Sequence, residues 1–415
     1  MALPLEGIKI LELAQSLGSP YCTSMMADFG AEVINVEPRW GSRTRSMGLT
    51  YLKGECSTYF SLNRNKRAIC LDWSKPEGKE IVLKLVKNVD IITENFRVGV
   101  MERQGLGYDT LAKINPRLIY LNITGFGTKG PWAPRPGVEL IFQGYCGMMS
   151  LQGPDVRGIP RTVSGAATDM NAGLFAFMGI MLALYERERS GLGQKVETSN
   201  TLAALSPLSN AMQAFIFGRK SGESQSIVPF GGYRTKDGFV TVALPSDQYW
   251  PNFCKALGIE HLQNEPMFAT NIARSQNADA VESLIQSILE QKTTAEWLNL
   301  FDKADSLGGP INTPEQVLED PQILANDMIV TVDHPVTGKT RMIGIPIKLS
   351  RTPGKVKSAP PVLDQHTDEI LKDFGYTDEQ IAELKKKEIV GKMEKVGRVG
   401  VRPTARSSTS QKPNE

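Results

Sequence analysis

Short apolar runs alternate with helical patterns along the chain up to residue 125. The apolar runs predict strands at Ile8–Leu13, Glu32–Val36, Arg67–Leu71, Asp90–Thr93 and Arg117–Ile123. The stretches between them have apolar residues at helical spacing and predict helices at Tyr21–Phe29, Glu77–Lys87 and Gly99–Ile114. Strands separated by helices of this length indicate βαβ units, which build a mostly parallel sheet covered on both faces. The pattern therefore predicts an α/β fold.

The longest predicted helix, Thr168–Glu188, is apolar on nearly every side in its middle. A helix with that pattern is expected to run through the interior of the protein. Its most apolar part, Met170–Tyr185, is too short to cross a membrane, so no membrane partner is expected. A second helix is predicted at Thr198–Phe217.

The pattern changes after residue 220. Tyr233–Leu244 predicts a hairpin with a Lys-Asp-Gly turn, and several helical stretches follow it. His334–Lys348 then predicts two more strands, and Thr367–Lys387 predicts a final helical region.

These elements predict a large Rossmann-like domain built from both chain ends, with a smaller α+β domain inserted into it. The expected limits are 1–220 and 326–395 for the large domain and 221–325 for the inserted domain. Residues 396–415 have the composition of a basic, disordered tail.

The formal net charge is +2, from 47 basic and 45 acidic residues. Such a balance gives no electrostatic footprint for nucleic acid, so no nucleic-acid partner is expected. The five cysteines form no C-x-x-C pair, and the N-terminus lacks the basic start and apolar core of a secretory signal. A reduced, cytoplasmic protein is therefore expected. The three histidines lie in unrelated contexts, and no metal site is expected.

Asp169 lies where the long apolar helix begins and is a candidate for chemistry. One interpretation is structural, because a carboxylate in the first turn is stabilised by free N–H groups and the helix dipole. The other is catalytic, because a buried carboxylate with little water around it can act as a covalent nucleophile. The local pattern leaves both interpretations open.

Basic residues gather at or near the predicted carboxyl ends of the strands: Arg39, Arg43, Arg45, Lys66, Arg67, Lys75, Arg97 and Arg103. Ligands of open parallel sheets bind at that edge, and a basic collar there suits a phosphate-rich ligand. Solvated loop charges are the alternative for each residue taken singly. Asn95 and Phe96 directly follow a strand, where they either face a nucleobase or serve packing.

The segment Gly125–Gly130 matches the pattern G-x-G-x-x-G after a predicted strand. A dinucleotide site of that type needs a helix that opens at once. Pro131, Pro134 and Pro136 forbid that helix, so the segment predicts a turn-rich loop.

Many ordered stretches between about residue 3 and residue 390 match one known family. They include L-E-G-I-K-I-L-E-L, F-G-A-E-V-I-N-V-E-P, N-R-N-K-R-A-I-C-L-D, T-E-N-F-R-V-G-V-M-E-R, R-P-G-V-E-L-I-F-Q and S-G-A-A-T-D-M-N-A-G. On these stretches the chain resembles the class III CoA-transferases of the CaiB/BaiF type, which include formyl-CoA transferase and carnitine CoA-transferase.

The resemblance implies an enzyme that moves coenzyme A from an acyl-CoA to a free carboxylic acid. Asp169 matches the family's nucleophile, which forms an aspartyl anhydride and then an aspartyl–CoA thioester. Coenzyme A is a substrate in such a reaction, and no permanently bound cofactor is expected. The resemblance also implies that two chains interlock into a dimer, either a homodimer or a heterodimer with a related subunit.

The resemblance also assigns further site residues. The positions that match the family's CoA contacts are Leu71, Asn95, Phe96, Arg97 and Arg103, with Arg39 and Lys75 shifted by one. The implied active-site positions are Glu139, Gln15, Gly231 and Gly232. The last two stand where the family has a glycine-rich loop, and their N–H groups are expected to stabilise an oxyanion.

Departures from the family pattern bear on the substrate. Formyl-CoA transferase has a glutamine where this chain has Leu17, which favours a larger and less polar acid. Succinyl-CoA is the suggested donor, and an aromatic or dicarboxylic acid such as benzylsuccinate is the suggested acceptor.

Two alternatives to a transferase remain. Acyl-CoA racemases and isomerases of the same fold need a histidine base in a G-H-D motif, and this chain has Gly137-Val138-Glu139 there. A transferase is therefore favoured over a racemase. The other alternative is a non-catalytic CoA-binding subunit of a hetero-oligomeric transferase, against which the presence of Asp169 weighs.

Overall fold

The computed structural model describes residues 2–48, 50–220, 227–394 and 399–401. The chain divides into two compact units. The larger unit comprises Met1–Met212 and Asp327–Glu415, and the smaller unit comprises Gln213–Asn326. The inserted domain was expected at 221–325.

The strands are β1 Lys9–Glu12, β2 Glu32–Glu37, β3 Tyr51–Leu52, β4 Glu55–Cys56, β5 Lys66–Cys70, β6 Ile91–Glu94, β7 Ile119–Thr124, β8 Lys195–Ser199, β9 Phe230–Arg234, β10 Phe239–Ala243, β11 Gly308–Pro310, β12 Ile329–His334 and β13 Gly338–Ile343. The helices up to the long apolar one are α1 Gly18–Asp28, α2 Ser57–Leu62, α3 Pro76–Val86, α4 Val100–Arg103, α5 Tyr108–Ile114, α6 Glu139–Tyr145, α7 Met148–Leu151 and α8 Ala167–Ser190. The later helices are α9 Asn200–Leu205, α10 Ser209–Ile216, α11 Trp250–Leu257, α12 Asn271–Gln276, α13 Ala278–Leu289, α14 Thr294–Ala304, α15 Pro314–Glu319, α16 Pro321–Ala325, α17 Thr367–Asp373 and α18 Asp378–Lys386.

Six strands of the larger unit form one sheet in the order β5-β2-β1-β6-β7-β8. Every neighbouring pair in this sheet is parallel. Counted along the chain, the order is the 3-2-1-4-5-6 of a Rossmann-type sheet, and it reverses between β1 and β6. Ligands of such sheets bind at the carboxyl edge near that reversal. The predicted α/β class with a large parallel sheet is confirmed.

The C-terminal part of the chain belongs to the larger unit but supplies no strand to this sheet among the described residues. The strands predicted within His334–Lys348 lie slightly earlier, as β12 and β13, which pair with each other in a separate antiparallel hairpin. The C-terminal part contributes helices instead. Ile370 and Leu371 of α17 and Ile381 of α18 pack into the core of the larger unit.

Helices cover both faces of the six-stranded sheet. Successive residues of a strand point to opposite sides, so neighbouring residues pack in different layers. Leu11 of β1 and Ile34 of β2 pack on the side of α3, α5, α17 and α18. Ile10 and Val33, their neighbours in sequence, pack on the side of α1 and α8. The nearly continuous apolar runs of the strands follow from this burial on both faces.

Helix α8 confirms the long predicted helix but does not run through the interior of this chain on all sides. Its inner face packs in the core through Ala172, Ala176, Ile180 and Ala183. Its opposite face carries exposed apolar side chains at intervals of three to four residues: Leu174, Met178, Leu182 and Tyr185. These four residues are called the outer stripe of α8 below. The 24-residue helix is longer than predicted and apolar enough for a membrane span by length and composition alone, but its inner face is part of a packed core.

The smaller unit is built around the predicted hairpin, which is confirmed and begins three residues earlier than expected. Strands β9 and β10 pair antiparallel, and β11 pairs with the other edge of β10. Helices α11 and α14 pack aromatic side chains into its core, namely Trp250, Phe253, Trp297 and Phe301.

Val399–Val401 is the part of the expected tail 396–415 that the structure describes. Gly400 N donates a hydrogen bond to the carbonyl oxygen of Trp40 at 2.6 Å. Ser46 Oγ donates one to the carbonyl oxygen of Gly400 at 3.1 Å. Gly400 therefore contacts the loop after β2, and the rest of the expected tail lies outside the described residues.

Candidate active site

Two glycines let α1 and α8 approach each other closely where the long helix begins. A Cβ atom added to Gly18 would lie 2.9 Å from the carbonyl oxygen of Asp169, and one added to Gly173 would lie 2.6 Å from that of Gly18. Side chains at either position would push the helices apart. This contact sets the start of α8 beside α1, which directly follows the carboxyl end of β1.

Gly173→Ala is expected to lower the free energy of unfolding by about 1–3 kcal/mol, because the new methyl group has no room beside α1. Urea unfolding followed by circular dichroism measures the change. The matched control is Gly144→Ala in α6, where an added Cβ meets its nearest neighbour at 3.7 Å. That control should leave stability unchanged or raise it by up to about 1 kcal/mol. An equal loss in both variants would contradict the close contact.

The N–H groups at the start of α8 are bound by Glu139, which is thirty residues from Asp169 in sequence. The N-cap residue of α8, Ala166, offers no side-chain oxygen. Glu139 Oε1 accepts a hydrogen bond from Thr168 N at 2.9 Å. Glu139 Oε2 accepts from Thr168 Oγ1 at 2.6 Å and from Asp169 N at 2.9 Å. The N–H groups of Thr168 and Asp169 are therefore bound by Glu139, while Asp169 lies in the first turn of α8, as the structural interpretation expected, without being the N-cap.

Glu139 is itself held in place from its own helix. Gln143, one turn further along α6, donates from Nε2 to Glu139 Oε1 at 2.7 Å and to the carbonyl oxygen of Val163 at 2.8 Å. Gln143 Oε1 accepts from Val163 N at 2.9 Å. The Gln143 side chain is 2% exposed, so α6 fixes both Glu139 and the segment that leads into α8.

The Asp169 carboxylate is 8% exposed and is bound by Asn200. Asn200 Nδ2 donates to Asp169 Oδ1 at 2.6 Å. Burial raises the pKa of Asp169 to about 6. The hydrogen bond from Asn200 opposes that rise in pKa, and the nearby Glu139 carboxylate adds to it. Asp169 is thus a poorly solvated carboxylate, the kind of group that acts as a nucleophile when ionised.

Asn200 was not predicted as a site residue, because apolar spacing favoured a single helix over Thr198–Phe217. Residues Lys195–Ser199 instead pair with β7 as strand β8, and α9 begins at Asn200. Ser199 caps that helix by accepting from Leu202 N at 3.2 Å. A Ser-Asn pair before an apolar run is a helix-start signal, and it could have located the boundary.

Gln15 and Asn95 lie together at the carboxyl edge where the strand order reverses. Gln15 N donates to Asn95 Oδ1 at 3.0 Å, which joins the ends of β1 and β6. Gln15 Nε2 donates to the carbonyl oxygen of Val36 in β2 at 3.3 Å. The structure therefore brings these two predicted residues to the edge at which Rossmann-type sheets bind ligands.

Phe96, Arg97 and Arg103 lie just beyond the end of β6. The Phe96 ring packs edge-on against Trp73, with ring centroids 5.5 Å apart. Arg97 and Arg103 are exposed, and neither forms an ion pair within the described residues. Both guanidinium groups are therefore available to an anionic ligand at this edge.

Arg39, Leu71 and Lys75 are engaged by the C-terminal part of the chain. Leu71 is fully buried and pairs with Val390 in an isolated antiparallel bridge. Arg39 Nε donates to the carbonyl oxygen of Gly391 at 2.9 Å, and its Nη1 lies 3.3 Å from Glu388 Oε1. Lys75 Nζ donates to the carbonyl oxygen of Glu388 at 3.3 Å. All three predicted CoA contacts are thus engaged within the fold, and Trp73, between Leu71 and Lys75, packs against Phe96 after β6.

Three cations of the expected basic collar hold the fold together instead. Arg45 binds the Glu37 carboxylate with Nε and Nη2, both at 2.7 Å. Lys66 Nζ lies 2.9 Å from Glu12 Oε2 in a fully buried pair. Arg67 pairs with three carboxylates, those of Glu32, Glu369 and Asp373. Lys66 and Arg67 also begin β5 rather than end it, so the collar interpretation is wrong for all three cations.

Gly231 and Gly232 lie in strand β9 of the smaller unit rather than in a loop, which corrects the expectation. Gly231 pairs with Val242 and Gly232 with Thr241 of β10. Their predicted role in stabilising an oxyanion stays a prediction.

The segment Gly125–Gly130 is a loop, as predicted, because the next helix after β7 begins at Glu139. Thr201 N and Thr201 Oγ1 donate to the carbonyl oxygen of Gly125 at 3.1 and 3.0 Å, which ties this loop to the start of α9. Histidines are not part of the Asp169 constellation: His334 accepts hydrogen bonds within the β12–β13 turn, and His366 accepts one from Ala68 N. The described residues contain no group of three or more metal-ligating side chains.

Comparisons with known proteins agree along most of the chain. The model of the family described as CoA-transferase family III matches residues 5–367. An acyl-CoA transferase of Fusarium pseudograminearum is 36% identical over 93% of this chain and 88% of its own length. The succinyl-CoA:glutarate CoA-transferase of Homo sapiens is 34% identical over 92% of this chain and 88% of its own length. The crystal structure of a CAIB/BAIF family protein from Brucella suis, 33% identical, covers 90% of this chain and 100% of its own, with a TM-score of 0.81.

Fold and site together define an α/β enzyme with a poorly solvated carboxylate near the carboxyl edge of a parallel sheet. The chain belongs to the family III CoA-transferases. The resemblance drawn from the sequence motifs is thereby confirmed. The protein is a CoA-transferase that uses CoA thioesters as substrates.

Proposed function

We propose that this enzyme transfers coenzyme A from succinyl-CoA to a dicarboxylic acid, with Asp169 as the covalent nucleophile. The observation that carries the proposal is the buried Asp169 carboxylate, bound by Asn200 while Glu139 satisfies the helix N–H groups beside it. The human relative named for succinyl-CoA and glutarate supports this substrate class. Glutarate is the acceptor used in the test below, and benzylsuccinate is a second dicarboxylate to compare with it.

The first half of the reaction moves CoA onto the enzyme. One oxygen of the ionised Asp169 attacks the thioester carbon of succinyl-CoA, the C–S bond breaks, and its electron pair leaves with the CoA thiolate. The product on the enzyme is an aspartyl–succinyl anhydride. The thiolate then attacks the Asp169 carbonyl carbon, and succinate leaves with the bridging oxygen. An aspartyl–CoA thioester remains.

The second half reverses these steps with the acceptor. A glutarate carboxylate attacks the aspartyl–CoA carbon and expels the thiolate, which gives an aspartyl–glutaryl anhydride. The thiolate attacks the glutaryl carbonyl carbon, and the electron pair of the breaking C–O bond returns to Asp169 together with the bridging oxygen. One thioester has been exchanged for another, so the reaction balances without ATP or an oxidant.

Asn200 and Glu139 have different roles in this scheme. Asn200 donates to Asp169 Oδ1 and orients the carboxylate, leaving the second oxygen for attack. Glu139 accepts hydrogen bonds from the backbone N–H groups of Thr168 and Asp169. These donors therefore do not stabilise the negative charge of the Asp169 carboxylate, which would make it a weaker nucleophile. The exposed Arg97 and Arg103 lie at the sheet edge, where they would bind the phosphates of CoA.

A single-turnover experiment with ¹⁸O-labelled glutarate tests the proposal. Enzyme in excess over succinyl-CoA should gain one ¹⁸O atom on the peptide that contains Asp169, because the bridging oxygen of the second anhydride comes from the acceptor. Succinate from this first turnover should be unlabelled. Labelled succinate with an unlabelled peptide would mean direct attack of glutarate on succinyl-CoA and would overturn the assignment of Asp169.

The raised pKa of Asp169 predicts the pH dependence of the first step. Only the ionised carboxylate attacks, so the rate of succinate release at saturating succinyl-CoA should rise with pH through about 6 and then level off. Rapid-quench detection of succinate over the first turnover measures this rate. A rate that falls as pH rises through the same range would contradict ionised Asp169 as the nucleophile.

The proposal assigns the outer stripe of α8 to a partner, either a second copy of this chain or a related subunit, in a cytoplasmic enzyme. Four exposed apolar side chains along one helix face form a patch typical of protein interfaces. Leu182→Lys is expected to convert a dimer of the purified chain into monomers in sedimentation velocity. Val156→Lys, at a fully exposed apolar residue of a separate loop, is the control and should leave the dimer intact. A monomeric wild-type chain would exclude the homodimer.

A further inference from the structure

A second buried carboxylate, distinct from the site around Asp169, lies at the carboxyl end of β6. Glu94 is the last residue of that strand, and its side chain is 4% exposed. It directly precedes Asn95, Phe96 and Arg97, called the β6 loop below. This loop starts at the edge where the strand order reverses.

The two oxygens of Glu94 bind different parts of the fold. Oε1 accepts hydrogen bonds from Tyr120 OH at 3.4 Å and from Asn122 Nδ2, both in the neighbouring strand β7. Oε2 accepts a hydrogen bond from Phe96 N at 2.7 Å. One side chain therefore connects the backbone of the β6 loop to a buried strand of the sheet.

The β6 loop has few other attachments. Asn95 Oδ1 accepts from Gln15 N, which joins the loop to β1. The Phe96 ring lies against Trp73, the Arg97 carbonyl oxygen accepts a hydrogen bond from Val100 N at 3.0 Å, and the Arg97 side chain is exposed. The bond from Phe96 N to Glu94 thus holds the backbone at the middle of the loop, between Asn95 and Arg97.

A buried carboxylate at this position carries a cost. Burial raises the pKa of Glu94 to about 7, and the nearby Glu102 carboxylate adds to the rise, while the bonds from Phe96, Asn122 and Tyr120 oppose it. A neutral side chain of similar size would avoid that desolvation. The presence of a charged residue at this buried position is explained if the orientation of the β6 loop has a function.

We infer that Glu94 is a positioning residue for CoA. Its Oε2 accepts the hydrogen bond from Phe96 N and so fixes the conformation of the β6 loop. In that conformation the loop presents Asn95, Phe96 and Arg97 to the CoA portion of the bound acyl-CoA. Glu94 touches no reacting atom and acts through this loop. The inference rests on the proposed placement of CoA at this edge of the sheet.

Calorimetric titration with free CoA, together with steady-state kinetics, tests the inference. Glu94→Ala leaves Phe96 N without its acceptor, so the dissociation constant for CoA and the KM for succinyl-CoA should both rise about tenfold. The value of kcat should stay within about twofold, because Asp169 and its partners are untouched. Glu94→Gln keeps an oxygen that can accept from Phe96 N and should restore most of the CoA affinity.

Tyr120→Phe is the matched control. It removes the hydroxyl group that binds Oε1 and leaves the bond from Phe96 N to Oε2 in place. Its CoA affinity should therefore match the wild type, even if its melting temperature falls. A Glu94→Ala variant that loses melting temperature but binds CoA as tightly as wild type would overturn the positioning role.

The pH dependence of CoA binding keeps the test decisive if Glu94→Ala does not fold. Glu94 loses its charge as pH falls through about 7, which weakens its bond with Phe96 N. Wild-type affinity should then fall more steeply than that of Glu94→Gln over this range. Tyr120 and Glu102 face residue 94 in both proteins, and both proteins bind the same CoA. The difference between the two pH profiles of CoA affinity therefore reports the ionisation of Glu94 alone. Identical profiles would overturn the inference, whereas a wild-type protein that binds no CoA would contradict the proposed function instead.

Discussion

Asp169→Asn is expected to lower the rate of CoA exchange between succinyl-CoA and glutarate by about a thousandfold or more, because an amide oxygen cannot form and release the anhydride. The substitution keeps an oxygen that can accept from Asn200 Nδ2, so the local hydrogen bond and the fold should persist. Coupled detection of glutaryl-CoA by mass spectrometry measures the rate. Circular dichroism and a melting curve check that the variant is folded.

The matched control for this prediction is Asp109→Asn. Asp109 is also a carboxylate in the first turn of a helix, α5, but it is exposed. Exchange by this variant should equal that of the wild type. If Asp169→Asn retained exchange at a comparable rate, the protein would still be a family III CoA-transferase by descent, but its nucleophile would be another residue.

Lys66→Met is expected to lower the free energy of unfolding by about 3–5 kcal/mol, because it leaves the Glu12 carboxylate buried without its partner. Both side chains of the pair have no exposed surface. Lys66 Nζ also donates to the carbonyl oxygen of Pro20 at 2.9 Å and to Asn63 Oδ1 at 3.1 Å. Chemical denaturation with guanidinium measures the change.

Two further variants distinguish the effect of breaking a buried ion pair on stability from the effect of breaking an exposed one. Lys385→Met breaks the exposed pair with Asp368 and should cost no more than about 1 kcal/mol. The double variant Lys66→Met with Glu12→Leu removes both buried charges and should recover much of the stability lost by Lys66→Met alone. A loss of the same size in Lys66→Met and Lys385→Met would contradict the importance assigned to burial.

Activity should follow stability only in part for these variants. Thr23 Oγ1 in α1 donates to Glu12 Oε1 at 2.9 Å, and α1 packs against α8 through Gly18 and Gly173. The Lys66–Glu12 pair therefore supports the helix against which the start of α8 is set. Loss of the pair is expected to loosen the position of Asp169 as well as the fold.

The alternation of strands and helices could be predicted because it depends on residues close together in sequence. The runs at Ile8–Leu13 and Asp90–Thr93 contain adjacent apolar pairs, Ile10-Leu11 and Ile91-Ile92, as expected for strands buried on both faces. Asp169 could be nominated in the same way, since a carboxylate at the start of an otherwise uncharged helix is visible locally. The acceptor for the helix N–H groups could not be predicted in this way, because it is Glu139, from a different helix.

The boundary between β8 and α9 shows where a prediction from apolar spacing fails. Residues from Thr198 onward have helical spacing, yet Thr198 and Ser199 pair with Ile123 and Thr124 of β7. A strand seventy-five residues away in sequence therefore decides that the helix begins at Asn200. The position of Asn200 beside Asp169 follows from that pairing and could not be read from the spacing alone.

The outer stripe of α8 is a related case. An apolar surface on every side of a helix predicts burial, but the chain covers only the face that carries Ala172, Ala176 and Ile180. The spacing could show that the whole surface of the helix avoids water. It could not show whether the same chain or a partner covers the face that carries Leu182.

By itself, the sequence determined the class of fold, the family and the residue at which covalent chemistry is proposed, because these depend on short motifs and on the periodicity of neighbouring residues. The tertiary structure decided which charges are paired inside the fold, such as Lys66 with Glu12, and which remain exposed, such as Arg97. It also decided that Glu139 and Asn200 meet at Asp169. The physical reason is that a charged group is buried or bound by residues of elements that are distant in sequence. The packing of those elements determines which residues meet, and a local sequence pattern contains no information about it.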